Sequence, residues 1–312
     1  MTTISEGVDR RQPAEPRNFE EIPGWLYGTD VLLFDWLLRR QRREGVIGDL
    51  LELGAYQGKS AVLMAAYLRS EEHFTVVDLF GTDPEDESNL QENRGSYATL
   101  TRQSFEANYL AFHPTLPRVI QAPTSVVPQR VEPGSCRFVH VDASHLYEHV
   151  RGDIEAARQA LRPDGLVVLD DYRSEHTPGV ACATWGAVLE GGLRPICVSG
   201  HKFYGTWGDP EPLRAALRQD LEERVGCRLS TQRVAGQPLL LVNGRKATPP
   251  PLPRSRYEES RPRGGELGPK PSGATRTPGR GRRPAWRRWA VDLTPPVVAR
   301  ALVRVRDRRS GR

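Results

Sequence analysis

Residues 50–60 read LLELGAYQGKS, and how this stretch is parsed decides the fold. An apolar run enters a glycine-bearing turn and leaves through Lys59 and Ser60 into the helical-looking AVLMAAYL. A triphosphate loop needs four residues between its glycines, so that successive backbone N–H groups wrap the phosphates. Here Gly54 and Gly58 enclose only Ala55, Tyr56 and Gln57, Leu53 stands where the first glycine belongs, and Glu52 sets a carboxylate at the mouth. The dinucleotide fingerprint fails as well, because no second glycine lies close enough to admit a pyrophosphate. What remains is a strand ending in an acid, a glycine turn and a helix. That arrangement suits a ligand that is cationic at its centre and carries a ribose, and S-adenosylmethionine is such a ligand.

Outward from this turn the chain alternates strands and helices. GDLLEL, HFTVVDLF, RVIQAP, CRFVHVDAS and LVVLDDY read as five strands, with helices at KSAVLMAAYLRS, YATLTRQSFEANYLA and YEHVRGDIEAARQALRPDG. A helix over TDVLLFDWLLRRQRRE precedes them, with Thr29 or Asp30 as its expected N-cap. After Tyr172 come a helix at GVACATWGAVLE, a strand at RPICVSG, a helix at EPLRAALRQDLEERV and a closing strand at QPLLLVNG, expected to be antiparallel. Alternation at this spacing implies βαβ units and a doubly wound, mostly parallel sheet, here a Rossmann-like α/β fold of seven strands. Such sheets bind ligands beyond the carboxyl ends of their strands. Glu52, Asp78, Asp142 and the pair Asp170–Asp171 all fall at such ends.

Charge is divided unevenly along the 312 residues. From residue 245 onward there are 19 Lys/Arg and 5 Asp/Glu, net 19 − 5 = +14, leaving 25 basic and 34 acidic residues, net −9, in the remainder. The expected organisation is a disordered N-terminus over 1–18, a folded domain over 19–244 with a substrate lid inserted at 81–117, and a basic Pro/Gly/Arg-rich tail over 245–312. The tail ends in a short amphipathic helix, with Val297, Val298, Ala301, Leu302 and Val305 on one stripe and Arg300, Arg304 and Arg308 on another. Four scattered cysteines with no C-x-x-C pair argue for a reducing compartment and against zinc. With no apolar signal core and no membrane-length run, the expected location is cytoplasmic, with the tail able to reach the inner face of the membrane.

The motifs resemble those of the class I S-adenosylmethionine-dependent methyltransferases over roughly residues 26–244. ELGAYQGKS is similar to their first motif, E-x-G-x-x-x-G, and VVDLF to the second, whose acid holds the ribose hydroxyls. HVDASHLYEHVRGDIEAARQALRPDGLVVLDDY resembles the magnesium-dependent macrocin-type O-methyltransferase branch, with Ala143 and Asp164 replacing glycines of its pattern. The resemblance implies a magnesium or similar divalent ion on Asp142, Asp170 and Asp171. The charge argument is compatible: three carboxylates at adjacent strand ends repel one another unless a cation sits between them, and oxygen ligands favour a hard ion. The bland alternative makes Asp142 an ordinary strand-end residue and Asp171 a turn cap.

For the donor, Gly54 and Gly58 are expected to let the backbone pass close to its methionine portion, where a Cβ would intrude. Glu52 would meet the cationic amino-acid end, directly or through a neighbour. Asp78, 26 residues beyond Glu52, would accept the ribose hydroxyls. Ser60 would assist at the helix N-terminus, and Thr124 and Ser125 would lie near the adenine edge. On the acceptor side, Asp142 and His145 are the candidate catalytic residues, His145 as general base with His149 as its rival. His176, His201 and Lys202 lie on loops facing the acceptor without an assigned task, and Arg94, Tyr97, Arg102 and Asn108 give the lid a polar character.

These features point to an O-methyltransferase, divalent-metal-assisted, acting on a hydroxyl of a sugar, glycolipid or natural product. Two alternatives are a nucleic-acid methyltransferase guided by the basic tail and a catalytically silent protein that keeps the donor fold. Expected partners are a small-molecule or glycolipid acceptor and an anionic membrane surface met by Trp286, Trp289 and the tail arginines. Nucleic acid ranks below these because the body is net acidic, and a homo-oligomer stays open.

Overall fold

A computed structural model describes residues 15–82 and 100–258. Five parallel strands form one half of a nine-stranded sheet: β1 (Asp49–Leu53), β2 (Phe74–Asp78), β3 (Arg118–Gln121), β4 (Cys136–Val141) and β5 (Leu161–Leu169). The rest is built from β6 (Arg194–Val198), β7 (Phe203–Thr206), β8 (Arg228–Val234) and β9 (Gln237–Asn243). The spatial order is β3-β2-β1-β4-β5-β7-β6-β9-β8. The sheet is therefore larger than the seven strands expected, and the antiparallel element is placed differently. β7 runs antiparallel between β5 and β6, while the QPLLLVNG strand, β9, lies parallel to β6. β8 is a strand the sequence pattern did not offer, because Arg228–Val234 is mostly exposed and carries no apolar alternation. It joins β9 through Ala235 and Gly236, both with positive φ, the conformation a two-residue hairpin turn requires.

Helices cover both faces. Alternate residues of each strand enter two separate cores, Leu50, Phe138 and Val168 on one side and Leu51, Val139 and Val167 on the other. This is the signature of a sheet buried on both faces. The first face carries α1 (Gly28–Arg43), α2 (Lys59–Ala65), α3 (Arg102–Leu110) and, later in the chain, α7 (Glu211–Glu222). The second carries α5 (Tyr147–Ala160) and α6 (Pro178–Leu189), with the one-turn α4 (Val127–Arg130) at its edge. The N-cap of α1 is Tyr27, not Thr29 or Asp30. Those two side chains point into the protein instead, Thr29 Oγ1 accepting from Gly244 N at 3.1 Å and Asp30 from the Tyr204 hydroxyl at 2.8 Å.

The packed body runs on past residue 244. Ser255 is buried and donates to Pro16 O, and Arg256 N donates to Ala111 O at 2.8 Å. Residues 16–18, within the expected disordered N-terminus, are likewise held, Asn18 capping a short 3-10 turn. The expected disorder of residues 1–14, most of the lid including Arg94 and Tyr97, and the amphipathic end of the tail lie outside the described residues.

At the N-terminal ends of the strands, away from the ligand side, Arg137 is fully buried. Its guanidinium donates to both Glu72 oxygens at 2.8 and 2.9 Å, to Gln41 Oε1 at 2.8 Å and to Tyr67 O at 2.9 Å. This clamp ties β4 to α1 and to the chain entering β2. Glu72→Ala leaves an uncompensated buried guanidinium and is expected to cost about 3–5 kcal/mol, read from urea midpoints at unchanged m-value.

Candidate active site

The parallel register brings the five strand-end acids to one edge of the sheet. Gly54 N bonds Val77 O, Asp142 N bonds Leu53 O and Asp170 N bonds Val141 O at 2.7–3.0 Å, so each turn continues the ladder of its neighbour. Gly54 is required at this point: with φ +78°, a Cβ would strike the Asp142 carbonyl. Gly58 serves a different purpose from the one expected. Its missing Cβ faces the Phe105 ring at 3.0 Å, and Gly58 does not border the cavity. Three non-glycine residues with positive φ, Tyr56, Phe80 and Asp171, follow the ends of β1, β2 and β5. Strain held at the ligand side of a sheet is common at functional sites.

Above these turns lies a cavity of about 1200 Å³. One end is bordered by Gly54, Ser60, Asp78, Thr124 and Ser125, five of the residues expected to meet the donor. Asp78 also fixes the turn: its Oδ2 accepts from Ala55 N and Tyr56 N at 2.7 and 3.0 Å, and its Oδ1 from Phe80 N at 2.7 Å. Burial raises its pKa, and these three N–H donors hold it back. A carboxylate has further acceptor capacity for hydroxyls on its open side.

Glu52 does not reach the cavity. It is fully buried beneath the floor, and Oε1 meets His140 Nδ1 at 2.8 Å across paired positions of β1 and β4. Burial pushes its pKa up to about 8, with the Ser60 hydroxyl and the Lys202 charge offsetting part. His140 Nε2 lies 3.1 Å from Lys202 Nζ. An ammonium has no lone pair, so Nε2 accepts from Lys202 and neutral His140 presents its Nδ1 proton to Glu52. Burial, reinforced by Lys202, holds the His140 pKa well below the usual range and keeps the ring neutral.

Lys202 is the residue on which the other end of the cavity is built. It is 1% exposed, donates to Asp170 Oδ2 and lies 4.0 Å from Asp142 Oδ2. Burial would lower its pKa, but Asp170, Asp142 and Asp30 outweigh that and raise it. Burial and the neighbouring Asp170 charge raise the Asp142 pKa well above normal, against the pull of Lys202. Asp171 turns elsewhere. Its Oδ2 lies 3.3 Å from His145 Nε2 and its Oδ1 accepts from Ser174 Oγ at 2.6 Å. Burial opposes ionisation, but His145 and Ser174 prevail and bring its pKa down to about 2. The trio Asp142, Asp170 and Asp171 therefore does not share one point. Among the described residues the ligand-type atoms that converge, within 4.8 Å, belong to His140, Asp142 and Asp170.

His145, His149 and His176 border the same end, His149 Nδ1 lying 3.2 Å from Ser144 Oγ and His176 meeting His145 edge to face. A further wall of the cavity comes from the segment before α1, Pro23 to Tyr27. There Trp25 stacks on Tyr56 at 5.4 Å, and Tyr27 on His201 at 4.0 Å. Of the lid residues within the described chain, Asn108 is buried and donates to Gln57 O, while Arg102 pairs with Glu106. Neither borders the cavity.

One further residue had no signal in the sequence beyond its place on a helix. Asp153 of α5 is buried at the donor end beside Thr124, with Oδ2 lacking any hydrogen-bond partner. Burial pushes its pKa up to about 7, the Thr124 hydroxyl offsetting part. An unpaired buried acceptor facing a cavity is suited to a ligand amino group.

The model of a methyltransferase domain family matches residues 51–172, from β1 through the residues just past β5. No curated protein sequence matches the chain. Similar solved structures include the O-methyltransferase NovP (18% identity, TM-score 0.48, covering 58% of this chain and 80% of that one). CalS11, a calicheamicin methyltransferase, is 21% identical (TM-score 0.43, 58% and 79% covered). The mycinamycin-pathway methyltransferase MycE, solved with Mg, SAH and mycinamycin VI, is 17% identical (TM-score 0.37, 58% and 50% covered).

Two outcomes are expected. Asp153→Ala weakens S-adenosylhomocysteine binding about tenfold by calorimetry, the loss of one charge-assisted hydrogen bond. Because the folded chain keeps the Glu52 proton between its ordinary pKa of 4.5 and about 8, it binds more protons than the unfolded chain there, and stability falls as pH rises through that window. Glu52→Gln flattens that slope in urea titrations. The strand-end turns and their acids all fall within the stretch that matches the methyltransferase domain family, residues 51–172.

Proposed function

We propose that the protein is an S-adenosylmethionine-dependent O-methyltransferase acting on a hydroxyl of a sugar, glycolipid or natural product. The observation that carries this reading is the division of one cavity into two chemically distinct ends. The end at Asp78, Thr124, Ser125 and Asp153 offers acceptors for ribose and adenine, while the end at Asp142, His145 and His149 offers proton-handling groups. Between them lies room for a sulfonium methyl and an incoming oxygen.

In this reading a hydroxyl oxygen attacks the methyl carbon as the carbon–sulfur bond breaks, leaving S-adenosylhomocysteine, and the hydroxyl proton passes to His145. Asp171, 3.3 Å from His145 Nε2, orients the ring and stabilises the imidazolium that forms. The charge pattern suits that task, because Asp171 stays ionised throughout the neutral range. Holding both reactants in line supplies about 7–11 kcal/mol of the barrier reduction. The stacked Trp25–Tyr56 and Tyr27–His201 pairs at the wall fit a ring-shaped acceptor carrying hydroxyls.

No observation among the described residues favours the nucleic-acid or catalytically silent alternatives. The membrane-surface reading belongs to the tail, beyond the described chain. Among the described residues no helix is long and apolar enough to cross a membrane.

The test is methyl transfer from radiolabelled donor into a panel of hydroxylated glycosides and phenols. His145→Ala is expected to lower kcat roughly 10²–10⁴-fold with donor affinity unchanged. Equal activity in His145→Ala would remove the base from this scheme and move the role to His149.

A further inference from the structure

A divalent ion is the group the macrocin-type resemblance implies at the strand ends, and the side chains present do not fit one. The atoms such an ion would need are already engaged. Asp170 Oδ1 accepts from Asp171 N at 2.8 Å, and Oδ2 meets Lys202 Nζ. His140 uses Nδ1 on Glu52 and Nε2 on Lys202. Asp171, the third carboxylate of the expected trio, is committed to His145 and Ser174. Of the converging group only Asp142 keeps a partly exposed carboxylate, and it too has Lys202 Nζ 4.0 Å away.

The ammonium is also fixed in place. Lys202 opens the path into β7, the antiparallel strand inserted next to β5, and its backbone is held by Ser199: Lys202 N donates to Ser199 Oγ at 2.9 Å and Lys202 O accepts from Ser199 N at 2.9 Å. Its neighbours Phe203 and Tyr204 are buried on opposite faces of the sheet. A lysine so tethered is held against the acid cluster at the cavity wall. A dication arriving among Asp142, Asp170 and His140 would meet a positive charge already there, and the hard-ion preference for all-oxygen ligands is broken by His140.

We infer that the Lys202 ammonium is the resident cation of the strand-end acid cluster, standing where the macrocin-type resemblance implies a divalent ion, and that this protein binds its donor and works without a metal. Lys202 then acts as a positioning residue. It binds Asp170, stands 4.0 Å from Asp142 Oδ2, and sets a fixed positive charge at the acceptor end of the cavity, where charge develops on the attacking oxygen. The role assigned to Lys202 rests on the methyl-transfer reading; the exclusion of metal rests on the geometry alone.

The experiment uses the full chain and manganese(II) as the probe, followed by electron paramagnetic resonance, with S-adenosylhomocysteine titrated into the same samples in the presence of EDTA. Wild type is expected to leave manganese free up to millimolar concentration and to bind S-adenosylhomocysteine equally well with EDTA. Lys202→Ala is expected to create a manganese site, seen as loss of the free-ion signal and as a metal-dependent rise in Tm, and Asp142→Asn added to it should abolish both. Stoichiometric manganese binding by wild type, lost in Asp142→Asn, would overturn the inference whether or not the Lys202 variant folds. Wild type that leaves manganese free and binds no S-adenosylhomocysteine in any condition would uphold the exclusion of metal while refuting the donor site and with it the role given to Lys202.

Discussion

A buried ammonium set among carboxylates governs the ligand end of this sheet. Moving one charged group out of water costs several kcal/mol even after relaxation, so neither Lys202 nor Asp170 could be held there without the other. Their contact joins β7 to the end of β5 and, through His140, reaches Glu52 in β1. Four strands are thereby locked at the positions where the cavity floor must be exact to a fraction of an ångström. The polarity of the chain follows from chemistry: the lysine can only donate, His140 relays as a neutral ring, and Glu52 receives.

The two ends of the sheet contrast instructively. At the N-terminal ends, Arg137 is enclosed by Glu72, Gln41 and a backbone carbonyl and borders no ligand cavity, so its charge serves packing alone. At the C-terminal ends the charges are partly open to a large cavity, Asp153 keeps an unpaired oxygen, and several residues accept left-handed backbone. Satisfied charge at one end and unsatisfied charge at the other is what separates a structural clamp from a binding site.

Much of this was legible in the sequence because it is local. The alternation of apolar runs with helical stretches places Glu52, Asp78, Asp142 and Asp170 at strand ends without any knowledge of tertiary contacts, and the acid three residues before His145 puts both on one turn. What was not legible depends on distance along the chain. Lys202 lies 32 residues from Asp170 and 62 from His140, just before a four-residue strand too short to show periodicity, so a loop lysine is all that the sequence displays. Gly58 was misread for a related reason: a glycine in a turn announces close approach but not by what, and here the neighbour is Phe105 rather than a ligand. Asp153 sits on an amphipathic helix whose polar positions all look alike until one is found facing inward.

In the proposed function a single cavity seats the donor with its sulfur toward the acid–histidine end. A crystal structure of the full chain with S-adenosylhomocysteine tests it most directly. Adenine is expected beside Thr124 and Asp153, ribose hydroxyls on Asp78, and the sulfur directed toward Asp142 and His145 with space for an oxygen about 3–3.5 Å from the transferred methyl position. A ligand seated with its sulfur turned away from His145, or no ligand in this cavity at saturating concentration, would contradict it.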